Sequence, residues 1–296
     1  MTTLSIIIVS YNTKKLLQDC LESIKHSLAK DSIKAQIIIV DNNSSDGTQE
    51  YLKQLTVDNQ KLTIKIVLND ENFGFARAVN QGINQSDGKH LLLLNSDIRV
   101  LTGSIVKLIE VVEKKKNIGL AAPKLLNKDG KTSQPSCYNQ PTIKRAFQEY
   151  WLKKAGSFEK YLPRGGHPIM VEAVVGAAML IPRTTIDVVG QWNEAFFMYY
   201  EDLDFCQRVR KTGLKVCYVP QAKMIHHHGA SSKRKPNKAN RYLVESSKRF
   251  HGPINYFLIT SIIRISGFIK KPYFIALLLS TIITVALLTV LIFYFR

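Results

Sequence analysis

Four short apolar runs, at residues 4–9, 37–40, 64–68 and 91–94, alternate with amphipathic stretches at 13–29, 46–55 and 74–85. Each run is too short for a typical helix and almost continuous in Ile, Leu and Val, the pattern of a strand buried on both faces. The stretches between them carry the apolar spacing of helices. Strand–helix alternation of this kind predicts an α/β fold, with a parallel sheet covered by helices on both sides. In such sheets ligands collect beyond the carboxyl ends of the strands. Those ends here carry Ser10-Tyr11-Asn12, Asp41-Asn42-Asn43, Asn69-Asp70 and Asn95-Ser96-Asp97.

The rest of the chain is less regular. Residues 127–170 are mixed and punctuated by Gly and Pro, and read as a connecting or acceptor-facing region. A second ordered block, 171–225, offers an apolar strand over 171–182, a turn at Gly190 and a helix over 203–211 closed by Gly213. With 296 residues, 45% of them hydrophobic, the chain is too apolar to be disordered and long enough for one large domain or two small ones. The four cysteines are widely spaced with no CxxC pair, which argues against both a zinc site and a disulfide framework.

Charge is unevenly spread. Residues 231–296 hold 11 basic side chains and a single acidic one, Glu245. Residues 273–295 contain no charge, Gly or Pro. As a helix rising about 1.5 Å per residue they would cross a hydrocarbon core of roughly 30 Å. They are expected to form a transmembrane helix, preceded by a basic juxtamembrane and interfacial segment over 233–272. Lys270 and Lys271 before the span predict a cytoplasmic catalytic part under the positive-inside rule, and the N-terminus does not read as a signal peptide. The basic run Lys233-Arg234-Lys235, next to a span, suits anionic lipid or a lipid diphosphate better than nucleic acid. No aromatic-interleaved platform for nucleic acid accompanies it.

Several strand-end clusters can carry chemistry. Asp97, after four leucines, is placed to bind a divalent ion on a diphosphate, or equally to cap a turn. Asp41 can accept from a nucleobase N–H or a ribose hydroxyl, while Asp46 reads as a helix cap. Asn72-Phe73-Gly74-Phe75-Ala76-Arg77 sets small residues and one cation at a helix start, where backbone N–H groups can meet phosphate. Arg77 reads equally as a solvated surface charge. Glu201-Asp202 lies in a helix's first turn, favoured there by the dipole whether it caps or acts as a base. Of His226-His227-His228, at most one or two can reach one ion, because neighbours on an extended chain face opposite ways.

In order, the segments at 6–12, 40–48, 70–82, 92–97, 174–183, 188–213 and 219–232 resemble the family 2 inverting glycosyltransferases, in particular the rhamnosyltransferase-like branch. The likeness spans roughly 4–232. It departs at Asn95-Ser96-Asp97, where the family's usual motif is Asp-x-Asp, and at Trp192-Asn193-Glu194, where an aromatic-Asp-Glu is commoner. The resemblance implies a GT-A fold with a mostly parallel sheet flanked by helices, comprising a nucleotide-binding half (1–100) and an acceptor and catalytic half (101–232). It further implies that Ser10, Tyr11, Asp41, Asn72, Gly74, Arg77, Asn95, Ser96 and Asp97 bind the donor, and that Asp97 and His226 hold Mg²⁺ or Mn²⁺. Asp202 would be the base that deprotonates the acceptor hydroxyl. The expected reaction transfers a sugar from a dTDP- or UDP-sugar, rhamnose foremost, to a polyprenyl-diphosphate-linked glycan in cell-envelope polysaccharide synthesis. The contrasting expectation is a catalytically silent sugar-nucleotide-binding scaffold of a glycan assembly complex.

Overall fold

The computed structural model describes residues 4–31, 33–55, 62–227 and 236–269. The first half builds as the alternation dictates: β1 (Leu4–Ser10), α1 (Lys14–Asp31), β2 (Ala35–Asp41), α2 (Thr48–Lys53), β3 (Leu62–Leu68), α3 (Phe75–Asn84) and β4 (His90–Asn95). These strands lie parallel in the order β3-β2-β1-β4. Register sets Ser10 opposite Asp41 and Val9 opposite Asn95, so three polar strand ends share one edge. Alternation along β1 divides the burial. Ile6 and Ile8 pack in the layer of Leu17, Leu21 and Ile24 from α1, whereas Ile7 lies in the layer of Val79 and Ile83 from α3. Each such side chain contributes roughly 1.5–3 kcal/mol on burial.

The second half comprises β5 (Ile98–Val100), α4 (Ser104–Lys114), β6 (Ile118–Leu126), β7 (Cys137–Tyr138), α5 (Ile143–Tyr150), β8 (Ile169–Val171), β9 (Ala173–Val174), β10 (Ala178–Pro182), α6 (Arg183–Val189), α7 (Glu201–Lys211), β11 (Lys215–His226), α8 (Pro236–His251) and α9 (Pro253–Ile269). The main sheet continues from β4 as β10-β6-β11-β5, with β8 alongside β11, while β7 and β9 form a separate pair. β10 runs antiparallel to both β4 and β6, as do β5 and β8 to β11, whereas β6 and β11 are parallel.

The sheet is therefore mixed, not mostly parallel. Near-continuous apolar runs report burial on two faces and carry no information on direction, which the connections decide. The apolar run 171–182 also falls in three short strands instead of one: Glu172, which pairs with Arg145, separates β8 from β9, and Gly176 and Ala177, which bond to Asp202 of α7 and Asn95 of β4, separate β9 from β10. The basic segment read as broken by proline is helical from Pro236 onward, since proline is tolerated in a helix's first turn. Asp46 does not occupy the N-cap of α2. Gly47 does, and Asp46 instead accepts from the N–H groups of Lys14 and Thr48, joining the starts of α1 and α2. All four cysteines are buried with free thiols. Among the described residues no helix is long and apolar enough to cross a membrane; the run 273–295 lies outside them.

Candidate active site

The strand ends interlock before any ligand is considered. Ser10 Oγ lies 3.2 Å from Thr13 Oγ1, which lies 2.7 Å from Ser96 Oγ, so a chain of buried hydroxyls joins the ends of β1 and β4. Asp41 is fully buried. Its Oδ1 accepts from Ser44 N–H at 2.8 Å and from Gln49 Nε2, and its Oδ2 from Ser44 Oγ at 2.6 Å. It organises the loop after β2. Asn12, in a left-handed conformation (φ 55), accepts on Oδ1 from Ser45 N–H, tying that loop to the one after β1. Tyr11, half-buried, falls between Ser10 and Asn12 in the chain.

A second group sits at the start of α3. Asn72 Oδ1 accepts from Gly74 N–H at 2.9 Å, and the Gly74 carbonyl accepts from Asn42 Nδ2 at 3.0 Å. Gly74 has φ 86, and a Cβ there would stand 2.5 Å from the carbonyl oxygen of Phe197. Only glycine meets both demands. Phe75 N–H then donates to that same carbonyl at 2.8 Å, while Asn80 bonds both ways with the Trp192 backbone. The start of α3 is thus fastened to the aromatic segment preceding α7. Arg77 is exposed and stacks 3.9 Å above the Phe73 ring.

The structure brings Asp97 and His226 together. β5 and β11 run antiparallel with His226 opposite Ile98, and His227 N–H donates to the Asp97 carbonyl at 3.0 Å. His226 Nε2 lies 3.4 Å from Asp97 Oδ1, both side chains being buried. Asp97 Oδ1 has no hydrogen bond among the described residues. On the far side of the ring, Nδ1 lies 3.0 Å from Gln134 Oε1, while Gln134 Nε2 donates to the carbonyls of His226 and Leu126. That amide can present only its oxygen to the ring, which assigns the imidazole proton to Nδ1. In the neutral ring Nε2 is then an acceptor facing a carboxylate. A ring nitrogen and a carboxylate oxygen at this separation can share a cation or a proton. One nitrogen and one carboxylate oxygen, with a hydrogen bond orienting the imidazole from behind, is a donor set suited to a divalent ion that completes its shell with phosphate oxygens. Among the described residues no group of three or more His, Cys, Asp or Glu gathers to hold a metal. A diphosphate would have to supply the remaining ligands.

Asp202 stands apart from this pair but is wired to it. Gly176 N–H donates to Asp202 Oδ2 at 3.0 Å, and the next residue, Ala177, accepts on its carbonyl from Asn95 N–H at 2.9 Å. One peptide therefore separates the end of β4 from the carboxylate of α7. Asp202 Oδ1 also accepts from Leu203 N–H. Burial raises the pKa of Asp202 from its usual value, against the lowering by those two amides and by Lys160. The adjoining Glu201 is buried, and its Oε2 has no hydrogen bond among the described residues. Burial first, and then the charge of Asp202, push its pKa well above the usual value. The helix is entered through Tyr199 and Tyr200, both left-handed (φ 71 and 65). Each such residue costs roughly 1–3 kcal/mol, and strain of this sort collects where the fold must aim a side chain.

The sequence reading did not find Thr13, Gln134 or the Gly176-Ala177 turn. Gln134 lies in the aperiodic stretch 127–170, and nothing local distinguishes it.

The chain matches Glycosyl transferase family 2 over residues 5–165, more than half its length. The low-salt glycan biosynthesis hexosyltransferase Agl10 of Haloferax volcanii is 27% identical to it, over 81% of this chain and 72% of that protein. An N-acetylglucosaminyl-diphospho-decaprenol L-rhamnosyltransferase of Mycobacterium tuberculosis is 26% identical, over 79% and 78% respectively. Among solved structures, the mannosyltransferase PcManGT of Pyrobaculum calidifontis in complex with GDP-Man and Mn²⁺ aligns with a TM-score of 0.58 at 13% identity, covering 96% of this chain and 80% of that one. This last likeness carries the fold, a mixed GT-A-type sheet flanked by helices. By its sequence match and its fold together, the chain belongs to glycosyltransferase family 2.

Proposed function

We propose that the protein transfers a sugar, rhamnose foremost, from a nucleoside-diphosphate donor to a hydroxyl of a polyprenyl-diphosphate-linked glycan, inverting the anomeric carbon. The observation that carries this reading is the 3.4 Å approach of His226 Nε2 to Asp97 Oδ1, both side chains buried, with the Gly176-Ala177 turn linking the end of β4 to the Asp202 carboxylate at the start of α7. Relatives named as a rhamnosyltransferase and a glycan hexosyltransferase support the choice of sugar and acceptor.

In this reading Asp97 and His226 hold Mg²⁺ or Mn²⁺, which when bound stabilises negative charge on the departing diphosphate. Asn72, Gly74 and Arg77 line the nucleotide side, with Ser10, Tyr11, Asp41, Asn95 and Ser96 shaping its floor. Asp202 accepts the proton of the acceptor hydroxyl as that oxygen bonds to the anomeric carbon and the bond to the diphosphate breaks. Its raised pKa makes it a stronger base than an exposed carboxylate, and the Gly176 and Leu203 amides hold it in place. Burial pushes the pKa of the adjoining Glu201 well above the usual value, which favours its protonated form beside Asp202. Residues 1–232 form the catalytic domain, and 273–295 form a single membrane span that keeps this domain at the cytoplasmic leaflet, on the strength of its uncharged length.

The test is calorimetric titration of the detergent-solubilised full chain with dTDP-rhamnose and UDP-sugars, with and without Mn²⁺, followed by NMR of the product's anomeric configuration. Metal-dependent binding of one donor and an inverted product are expected. Binding without turnover on any lipid-linked acceptor would leave a silent scaffold, and a retained configuration would overturn the role of Asp202.

A further inference from the structure

α9 has two opposed faces. Ile259 and Ser266 turn toward the protein, where Ser266 Oγ donates to the Tyr150 carbonyl at 2.8 Å and Trp151 Nε1 donates to the Ile262 carbonyl at 3.2 Å. At about 100° per residue, Ile254, Phe257 and Ile265 fall together on the other side of the helix. They are left bare: Ile254 is 75% exposed and Phe257 67%. The end of α5 extends this surface. Phe147 and Trp151 stack with ring centroids 5.8 Å apart, both more than two-fifths exposed, and Leu152 follows them. Bare apolar side chains gathered on two packed helices mark a surface that meets something apolar.

The chemistry around the patch identifies what that is. α9 contains one charge in 17 residues, Arg264, and it is basic. Lys144, Lys153 and Lys154 stand exposed around the aromatic corner. An apolar face with a basic rim fits an anionic bilayer better than a protein groove. Trp151 has its N–H satisfied by a backbone carbonyl and its ring bare, as tryptophans do at the headgroup level. The chain also leaves α9 through Lys270 and Lys271 into the uncharged run 273–295. We infer that α9 and the Phe147–Trp151 corner of α5 form one membrane-docking surface, with α9 lying in the plane of an anionic leaflet. This rests on the reading of 273–295 as a span.

The surface has a consequence for the site. Arg145, in α5, pairs with Glu172 through both guanidinium nitrogens at 2.6 Å, and Glu172 also lies 3.5 Å from Arg210 of α7. Gln140 Nε2 donates to the Leu203 carbonyl of α7. Docking of α5 therefore sets the height above the bilayer of the helix that carries Asp202, where a lipid-linked hydroxyl is presented.

The chain's two tryptophans allow a direct test, since Trp192 is buried in the core. The full chain is reconstituted into phosphatidylcholine–phosphatidylglycerol vesicles with bromine high on the acyl chains, and its tryptophan emission is recorded. Quenching of the Trp151 component is expected, with the residual emission of Trp151→Phe unaffected by bromine. Phe257→Glu should still float with the vesicles yet lose the quenching. Flotation of the unaltered chain with Trp151 unquenched would overturn the docking surface and leave the span standing. A chain that fails to float would overturn both, and neither result touches glycosyl transfer measured in detergent. Undiminished quenching in Phe257→Glu would remove α9 from the surface.

Discussion

The imidazole Nε2 of His226 stands 3.4 Å from Oδ1 of Asp97, held there by a strand pairing from the front and by the Gln134 amide from behind. Three segments remote in sequence thereby meet at one point. Gln134 acts as a positioning residue, because its oxygen decides which ring nitrogen keeps the proton. Replacing it with leucine should weaken Mn²⁺ binding about 10–100-fold, as losses behind a ligating histidine commonly do. Electron paramagnetic resonance titration of free Mn²⁺ reads this directly. Gln134→Glu, which still accepts from Nδ1, should recover most of the affinity. Equal affinity in all three proteins would leave Gln134 with a packing role only.

Asp202→Asn should lower transfer by about 10²–10⁴-fold, the usual worth of a general base, and leave donor affinity nearly unchanged. In the unaltered protein the base must be ionised. Since burial raises its pKa, the rate should fall as pH drops through a point above the usual aspartate value. A pH–rate profile with its acidic limb at or below that value would move the base elsewhere.

Glu201 makes the opposite demand on pH. Its pKa is raised in the fold, so its stabilising contribution is complete below the unfolded value and is lost as pH rises through the folded one. Glu201→Gln removes that loss. The variant should melt higher than the unaltered chain at neutral pH, by an amount equivalent to about 1–3 kcal/mol, with the gap closing at acidic pH. Melting curves that stay parallel across the range would show that Glu201 is not held neutral.

Gly74→Ala forces a side chain into a left-handed backbone and against the Phe197 carbonyl. A cost of about 1–3 kcal/mol is expected, with weakened donor binding as the start of α3 pulls away from the segment before α7. Thermal melting and donor titration of the same preparation check both halves. Full stability with full donor affinity would mean that this contact yields without consequence.

Much of this protein is legible in its residues because the relevant forces are local. The buried strands β1 to β4 and the helices between them follow from apolar period, and the polar clusters at 10–12, 41–43 and 95–97 follow from where those strands must stop. Asp97, Asp202 and His226 were singled out by residue type and motif order. Direction of pairing, however, depends on how distant connections return, so β10 and β5 reversed the expected parallel sheet. The same holds within the site. Asp41, expected to meet the nucleoside, also accepts from Ser44 of the following loop and from Gln49 of α2, contacts that no motif announces. The Gly176-Ala177 turn was read as strand, and its two peptides couple Asn95 to Asp202. Gln134 carries no periodic or motif signal, yet it assigns the proton of His226. Periodicity encodes how much of a residue is buried. Which atoms then face each other is set by long-range packing, and that alone turned three separate polar segments into one candidate site.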